Sequence, residues 1–279
     1  MYKRIGVAVA FSPRCEAIIG EAARLQKLYN AELILIHIGE DKPDEKSYLE
    51  ELVKNSDINL EKTKFIWEKG NPAKKILSIG KRERIDLLVA GALQRESVVK
   101  FYFGSIARTL IRKSKCSILM LINPSIPPKS FDRIVINGTE GDNYSETIKH
   151  GINIARLEKS DRVYIFKGIK LFGLSMALAG EEENEQDQEE TRREIVSDEI
   201  KEIENILVGM DTHGLNINVK VASGKPGYEL RKFTKRIHAD LLIVKSPSHK
   251  LNLLDRIFPH YLEFIMEDLP SNLLIDKSH

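Results

Sequence analysis

An internal repeat constrains the fold of this chain more than any other feature. Lys62–Leu121 align with Asn216–Ile275 at a constant offset of 154 residues and without a gap. Within these segments Asp86–Val89 matches Asp240–Ile243, an aspartate followed by three aliphatic residues in both copies. A duplicated segment of this length predicts two similar domains. With 279 residues, the chain is long enough for each domain to bury a hydrophobic core.

Composition limits the partners and the compartment. The formal net charge of +2 creates no strong field that would favour nucleic acid or an anionic membrane. The two cysteines, Cys15 and Cys116, are too few for a disulfide framework and favour a reducing compartment. No apolar run approaches the roughly 20 residues that span a bilayer, and the apolar N-terminal stretch is too short for a signal peptide. We therefore expect a cytoplasmic protein with no nucleic-acid or membrane partner.

Five short apolar runs in the first half have the length and the β-branched content of buried strands. They are Ile5–Ala10, Glu32–Ile38, Lys64–Glu68, Leu87–Ala90 and Ser117–Ile122. Segments of helical periodicity separate them, and three pairs carry helix-start signals: Ser12–Pro13, Asn71–Pro72 and Gly104–Ser105. Strands that alternate with helices predict a parallel sheet covered on both faces, which is the doubly wound α/β class. The second half repeats this order.

The segment between the two copies, Pro124–Lys129, is rich in proline and is typical of a stiff, exposed linker. We therefore place the first domain at residues 1–126 and the second at residues 130–279. Each domain is expected to contain one five-stranded sheet.

The second copy contains an insertion. The offset between the copies is 130 at Ala31 and Asp161 and 154 by the third strand, so about 24 additional residues lie near residues 171–191. They begin with the apolar run Leu171–Ala179 and continue as the acidic run Glu181–Glu190. The acidic run is typical of a solvated loop or a frayed helix. The apolar run leaves two further interpretations open, a lid over a cavity in the second domain or a docking segment for a protein partner.

Glycines and a serine mark a candidate anion site in the first domain. Ligands of doubly wound sheets bind beyond the carboxyl ends of the strands, which places Ala10–Ser12 near Gly91. Gly104 and Ser105 begin the next helix, where free backbone N–H groups and the helix dipole favour a phosphate group. Glycine lets the backbone approach an anion closely, and the Ser105 hydroxyl can donate a further hydrogen bond.

These segments resemble the universal stress protein family. Nucleotide-binding members carry the pattern G-x2-G-x9-G-[ST] after the fourth strand, and this chain has Gly91, Gln94, Gly104 and Ser105 at those positions. The opening segment of the family, which reads like VAVDGS, is similar to Val7–Ser12. Further matching segments begin at Gly70, Cys116 and Gly224.

The resemblance implies two domains of the adenine nucleotide alpha hydrolase-like fold, each with the strand order 3-2-1-4-5. It also implies ATP or AMP as the ligand, with the phosphates held by Gly91, Gln94, Gly104 and Ser105. The rest of the nucleotide would face Ala10, Phe11, Ser12 and Ile38. Family members pair through the last strand, so Ser117–Ile122 and Asn272–Ile275 are expected to pair within the chain and form an internal pseudo-twofold dimer.

Two departures from the family pattern bear on nucleotide binding. Ala10 occupies the position of the acidic residue that holds the ribose and phosphate region, and Gln94 replaces a glycine. An amide can hydrogen-bond a phosphate, but it can equally fill an empty groove. If no nucleotide binds, Gly91 and Gly104 are inherited turn and cap residues that serve folding alone.

The second copy departs further from the pattern. The fixed offset places Lys245, Ser248, Phe258 and Pro259 at the phosphate-binding positions, and Thr139, with Asp142 close by, falls near the Ala10 position. Bulky Phe258 and Pro259 cannot offer a cradle of backbone N–H groups. We therefore expect no nucleotide site of this kind in the second domain.

Other reactive side chains form no recognisable motif. His37 ends the second strand at the ligand edge, but a lone histidine is more often a partly buried polar residue than a metal ligand. Cys15 lies at a helix start, which can lower the pKa of a thiol, although a small buried residue is the simpler interpretation. Phe101–Phe103 either pack against the fold or stack on a base. We expect no metal site and no catalytic constellation.

The sequence favours a stress-response binding or signalling protein, with at most slow incidental nucleotide hydrolysis. The alternative is a degenerate member that binds no nucleotide and acts as a small-ligand or protein-interaction module through residues 171–190. A third and weaker alternative is an enzyme of the related nucleotide-binding α-hydrolase type, which would need an intact pyrophosphate loop and an acid or metal site.

Overall fold

The computed structural model describes residues 1–94, 101–102, 104–139, 144–169, 185–246 and 260–277. They form two compact units, Met1–Ser130 with the strand Asn272–Asp276, and Phe131–Ser271. The last strand of the chain therefore belongs to the first unit. The sequence-based domain limits, 1–126 and 130–279, stay a prediction.

Strands and helices alternate in the first unit. Its elements are β1 (Arg4–Ala8), α1 (Cys15–Tyr29), β2 (Glu32–Ile38), α2 (Pro43–Lys54), β3 (Thr63–Glu68), α3 (Pro72–Arg82), β4 (Leu87–Gly91), the short β5 (Leu93–Gln94) and β6 (Phe101–Tyr102), α4 (Ser105–Lys113) and β7 (Ser117–Leu121). The five main strands lie in the order β3-β2-β1-β4-β7 and pair in parallel. This confirms the predicted order 3-2-1-4-5. Strands β5 and β6 form an antiparallel pair that the sequence did not indicate.

The main strands are apolar because helices cover both faces of the sheet. Ile5 and Val7 of β1 and Leu33 of β2 have no exposed surface. Complete burial of one such aliphatic side chain stabilises a fold by roughly 1.5–3 kcal/mol. The sheet is thus a stable base for the loops that follow the carboxyl ends of its strands, where ligands of this fold class bind.

Helix α3 begins where the sequence predicts. The Asn71 side chain accepts a hydrogen bond from the Lys74 N–H at 3.0 Å, which satisfies one of the free donors at the helix start. Pro72 occupies the first turn, where a missing N–H costs nothing. Helix α4 likewise begins at Ser105 with Gly104 as its N-cap.

Helix α1 begins later than the Ser12–Pro13 signal predicts. The Ser12 N–H donates to the Ala10 carbonyl, and the Cys15 N–H donates to the Ser12 carbonyl, so this segment is a tight turn. Arg14 is consequently the N-cap residue, and no side chain caps the helix. The turn places the Arg14 side chain at the edge of the sheet where the candidate site lies.

The strand β12 (Asn272–Asp276) pairs antiparallel with β7, and Leu274 lies opposite Leu119. It covers the edge of β7, which would otherwise expose unpaired backbone groups. Just beyond it, the ammonium group of Lys277 donates to the carbonyls of Ile111 at 2.8 Å and Ser114 at 2.5 Å, at the end of α4. The wider pairing of two domains about a pseudo-twofold axis stays a prediction.

The second unit repeats the alternation. Its elements are β8 (Arg133–Asn137), α5 (Tyr144–Glu158), β9 (Arg162–Ile169), α6 (Glu185–Leu207), β10 (Asn216–Ser223), α7 (Pro226–Arg236), β11 (Leu241–Lys245) and α8 (His260–Glu267). Its strands lie in the order β10-β9-β8-β11, again in parallel.

The helix between the second and third strands differs most between the units. Helix α6 has 23 residues, whereas its counterpart α2 has 12. The acidic residues 185–190 of the predicted insertion lie in α6, and the rest of the insertion, including its apolar run, lies outside the described residues. No helix in the described parts of the chain is long and apolar enough to cross a membrane.

Candidate functional site

A cavity of about 620 Å³ opens at the carboxyl ends of β1, β2 and β4 in the first unit. Seven of the eight residues predicted for the nucleotide site line it: Ala10, Phe11, Ser12, Ile38, Gly91, Gly104 and Ser105. The eighth, Gln94, lies in β5 and pairs with Phe101. Residues that stand up to 95 positions apart in the sequence therefore meet at one edge of the sheet.

The start of α4 forms one wall of the cavity. Gly104 has an extended backbone (φ −69°, ψ 173°) and no side chain caps the helix. The first N–H groups of an α-helix have no partner within the helix, and they carry the positive end of its dipole. This end of the cavity therefore attracts an anion.

Gly91 has a packing role as well as a place in the cavity. A Cβ atom at this position would lie 2.9 Å from Cδ1 of Ile18, closer than side chains tolerate. A larger residue at this position would therefore require the end of the Ile18 side chain to move, so Gly91 lets β4 and α1 pack closely.

Arg14 supplies a cation that the sequence analysis missed. Its guanidinium group donates to the Ala92 carbonyl at 2.5 Å and to the Ile122 carbonyl at 2.9 Å. These carbonyls follow directly after β4 and β7, so the side chain ties two strand ends together beside Gly91. Burial lowers the pKa of Arg14, but a guanidinium group stays protonated in proteins. Arg14 therefore brings a fixed positive charge to the wall of the cavity.

Aromatic rings form the opposite wall. The ring centroid of His37 lies 4.8 Å from that of Phe11 and 4.3 Å from that of Trp67. His37 is partly buried, and its Nδ1 lies 3.1 Å from the Val9 carbonyl oxygen. This partly buried position is the one predicted for it. Trp67 packs against Phe11 and His37, so its fluorescence can report on changes in the cavity.

The acidic side chains of the cavity are paired with lysines. Glu45 contacts Lys42 at 3.0 Å, and Glu40 contacts Lys69 at 2.7 Å. Both glutamates follow β2, near the aromatic wall. In the described parts of the chain, no three His, Cys, Asp or Glu side chains are grouped so that they could hold a metal ion. The cavity thus has a cationic end at Arg14 and α4, and an aromatic end where opposite charges are balanced.

The first half of the chain matches a known family model. Residues 1–54 and 42–121 match the model of the universal stress protein family. Residues 1–121 belong to that family. With its repeat and its length, the whole chain fits a tandem universal stress protein, in which two such domains follow one another.

Solved structures share the fold of this chain over nearly its whole length. A protein of unknown function from Pseudomonas aeruginosa is 15% identical, with a TM-score of 0.70 over 99% of this chain and 92% of that one. A universal stress protein from the same species is 13% identical, with a TM-score of 0.70 over 99% and 93%. One from Archaeoglobus fulgidus is 13% identical, with a TM-score of 0.63 over 99% and 98%. At these identities the likeness is one of fold.

The second universal stress protein-like unit has a different arrangement at the same sheet edge. Lys167, near the end of β9, is 1% exposed and contacts Glu202 at 2.7 Å and Glu199 at 2.9 Å, both from α6. The Lys167 ammonium also lies 4.7 Å from the ring of Tyr144, whose hydroxyl donates to Glu202. We call these four residues the Lys167 cluster.

The ionisation of the Lys167 cluster is set by its internal contacts. Burial alone lowers the pKa of Lys167, but Glu202 and Glu199 outweigh it and raise that pKa above its usual value. The hydrogen bonds from Lys167 and Tyr144 lower the pKa of Glu202. Its charged groups are therefore paired with one another within the unit, although the Glu199 Oε2 atom is buried without a hydrogen bond.

Other predicted positions of the second unit are partly described. The Thr139 hydroxyl, near the position of Ala10, accepts a hydrogen bond from the Gly168 N–H at 3.0 Å. Lys245, at the position of Gly91, is the last residue of β11. The other predicted positions, Asp142, Ser248, Phe258 and Pro259, lie outside the described residues. The predicted loss of the phosphate cradle in this unit thus stays a prediction, and the Lys167 cluster is an independent finding.

The structure agrees with the simpler interpretation of Cys15, that of a small buried residue. A helix start can lower the pKa of a thiol, but burial raises the pKa of Cys15 to about 11. Burial also raises the pKa of Cys116. Both thiols are buried and protonated at neutral pH, as expected of small core residues.

Proposed function

We propose that this protein is a cytoplasmic stress-response binding or signalling protein that binds an adenine nucleotide, ATP or AMP, in the cavity of its first unit. The observation that carries the proposal is the convergence of seven predicted residues around one cavity, beside the open start of α4. The family membership of residues 1–121 supports the same function.

The polarity of the cavity indicates the orientation in which the nucleotide would bind. Gly104, Ser105 and Arg14 form the cationic end, which suits the phosphates. Ile38 and Phe11 line the apolar end, which suits the adenine base. A volume of about 620 Å³ falls within the usual range of small-molecule sites.

Isothermal titration calorimetry with AMP and ATP tests the proposal. Gly104→Trp fills the start of α4 without backbone strain, because the φ of Gly104 is already negative. We expect micromolar binding to the unaltered protein and none to this variant. Leu60→Trp is the matched control, because it adds the same side chain at a position that is 55% exposed. Absence of heat at millimolar ATP and AMP would exclude the proposal.

The single tryptophan of the chain allows the site to be located. Trp67 lies 5.8 Å from Phe11 between ring centroids, so a base against Phe11 should change the Trp67 emission. A nucleotide bound in the second unit has no tryptophan beside it. Binding heat with unchanged emission would therefore place the nucleotide elsewhere.

We propose a binding role rather than catalysis, with nucleotide hydrolysis that is at most slow and incidental. The cavity brings Arg14 and α4 to the phosphate end, and the two glutamates among its described lining residues lie at the other end, paired with lysines. A general base close to the terminal phosphate is the element that rapid hydrolysis would need. Phosphate release from ATP, measured with and without magnesium, should remain far below one turnover per second, the lower end of ordinary enzyme rates.

An apolar ligand is the second candidate. Ile18, Ile76, Leu110 and Met120 line the floor of the cavity and are all buried. A degenerate member that binds no nucleotide can hold an apolar small molecule there. Native mass spectrometry of the purified protein tests this, because such a ligand would appear as an added mass that ATP does not displace.

A further inference from the structure

Arg14 distinguishes the phosphate end of this cavity from a cradle built of backbone N–H groups alone. It is the N-cap residue of α1 and is half-buried. Its guanidinium group is held by the Ala92 and Ile122 carbonyls at 2.5 and 2.9 Å, so its position is fixed before any ligand arrives. A charge that is already in place needs little reorganisation on binding.

The charge of Arg14 acts on the same space as the start of α4. Arg14, Gly91, Gly104 and Ser105 line one cavity. Because these two carbonyls are neutral, the hydrogen bonds to them leave the positive charge of Arg14 in place. A guanidinium group presents five N–H donors, and it suits phosphate oxygens in both charge and geometry.

Among the residues that the structure describes, the same end of the cavity offers few ligands to a divalent cation. Magnesium in nucleotide sites is usually held by one or two carboxylates in addition to the phosphates. Ala10 stands where the resemblance predicts an acidic residue, and the two glutamates of the cavity, Glu40 and Glu45, follow β2 and are engaged by lysines. A fixed guanidinium charge also repels a second cation placed at the same phosphates.

We propose that Arg14 takes the place of a divalent cation in this site, so that the first unit binds metal-free nucleoside phosphates in preference to their magnesium complexes. The inference deepens the proposed nucleotide function and rests on it. It names the ligand form, the free nucleotide anion, and the residue that selects it.

Calorimetric titration of ATP in two buffers, one with EDTA and one with excess magnesium chloride, tests this selection. Binding to the unaltered protein should be tighter in EDTA than in magnesium. Arg14→Gln should weaken binding of ATP in EDTA by about 10- to 100-fold, the effect of losing a charge-assisted contact. Arg14→Lys, which retains the charge without the planar fork, should fall between the two.

Lys42→Gln is the matched control, because it removes one positive charge at the other end of the same cavity. It should weaken binding by less than about fivefold, as expected for an exposed charge. Thermal unfolding of every variant shows whether the loops that Arg14 joins remain folded. If Arg14→Gln unfolds, the two-buffer comparison of the unaltered protein and of Arg14→Lys decides the question.

The results distinguish this inference from the proposed nucleotide binding on which it rests. Nucleotide binding that is equally tight or tighter in magnesium, or that is unchanged in folded Arg14→Gln, overturns the role of Arg14 and leaves the nucleotide function standing. No binding in either buffer overturns the nucleotide function itself, and the role of Arg14 with it.

Discussion

The two units place different chemistry at the same edge of the same fold. The Val9 N–H donates to the Ile36 carbonyl in the first unit, and the Gly138 N–H donates to the Phe166 carbonyl in the second, both at 2.8 Å. The next residue along the second strand is therefore His37 in one unit and Lys167 in the other. His37 borders an open cavity, whereas Lys167 is buried and forms ion pairs with two glutamates of α6.

This difference shows how a duplicated fold can diverge while its sheet is preserved. In the first unit the polar groups at the edge include the N–H groups at the start of α4, which remain available to a ligand. In the second unit the charged groups at the edge bind one another, so a ligand would have to displace them. Helix α6 supplies both glutamates, Glu199 and Glu202.

The largest predicted effect is a loss of stability on substitution of Lys167 in the second unit. Lys167→Met removes the ammonium group and leaves two glutamates facing each other without it. We expect the free energy of unfolding to fall by about 2–3 kcal/mol, somewhat below the usual loss for a buried pair because Glu199 and Glu202 keep some exposure. The measurement is urea unfolding followed by circular dichroism. Lys201→Met, on the exposed Lys201–Asp198 pair of the same helix, is the control and should change stability by less than about 0.5 kcal/mol.

The second prediction concerns the pH dependence of that loss. The lowered pKa of Glu202 means that its pairing stabilises the protein above its usual value of 4.5 and less as the pH falls through and below it. The raised pKa of Lys167 means that its contribution is present below its usual value of 10.5 and is lost at higher pH. The stability difference between the unaltered protein and Lys167→Met should thus be constant near neutral pH and shrink below about pH 4.5. A constant difference down to pH 3 would argue against the ion pairs as its source.

The third prediction concerns the Ser105 hydroxyl in the first unit. Ser105→Ala removes one hydroxyl at the start of α4 and keeps the backbone N–H groups. We expect the affinity for AMP to fall by about fivefold, which corresponds to one ordinary hydrogen bond of about 1 kcal/mol. Fluorescence titration of Trp67 measures it. Thr109→Ala, one turn along the same helix, is the control, because its hydroxyl donates to the Ser105 carbonyl inside the helix. Equal losses in both variants would mean that the helix, and not the Ser105 hydroxyl, is responsible.

The smallest predicted effect restores the acidic residue that the resemblance places at Ala10. Ala10 is exposed at the rim of the cavity, so Ala10→Asp should fold normally. The new carboxylate should weaken binding of metal-free ATP by about threefold and make magnesium favourable, because it adds a ligand for the cation and repels the free anion. Calorimetry with and without magnesium measures this. An affinity that does not respond to magnesium in Ala10→Asp would show that Ala10 lies away from the phosphates.

The fold of this protein was predictable because its signals are local or repeated. Apolar runs such as Leu87–Ala90 and the cap Asn71–Pro72 specify their own structure, and the repeat doubles the evidence. The positions of Gly91 and Gly104 were predictable for the same reason, since Gly91 ends a strand and Gly104 directly precedes a helix.

The charged parts of both edges were not predictable. Arg14 is not a residue type that favours an N-cap, and its position depends on the turn at Ser12 and on carbonyls at Ala92 and Ile122. Lys167 and its partner Glu202 are 35 residues apart and look like ordinary surface charges in the sequence. Contacts of this kind depend on tertiary structure, and a single sequence carries no periodic signal for them.

Equilibrium dialysis of radiolabelled AMP and ATP tests most directly the claim that the two edges differ in function. If the first unit binds a nucleotide and the second does not, the bound nucleotide should saturate at one molecule per chain, and Gly104→Trp should reduce it to none. Saturation at two molecules per chain, or one molecule that persists in Gly104→Trp, would contradict the account.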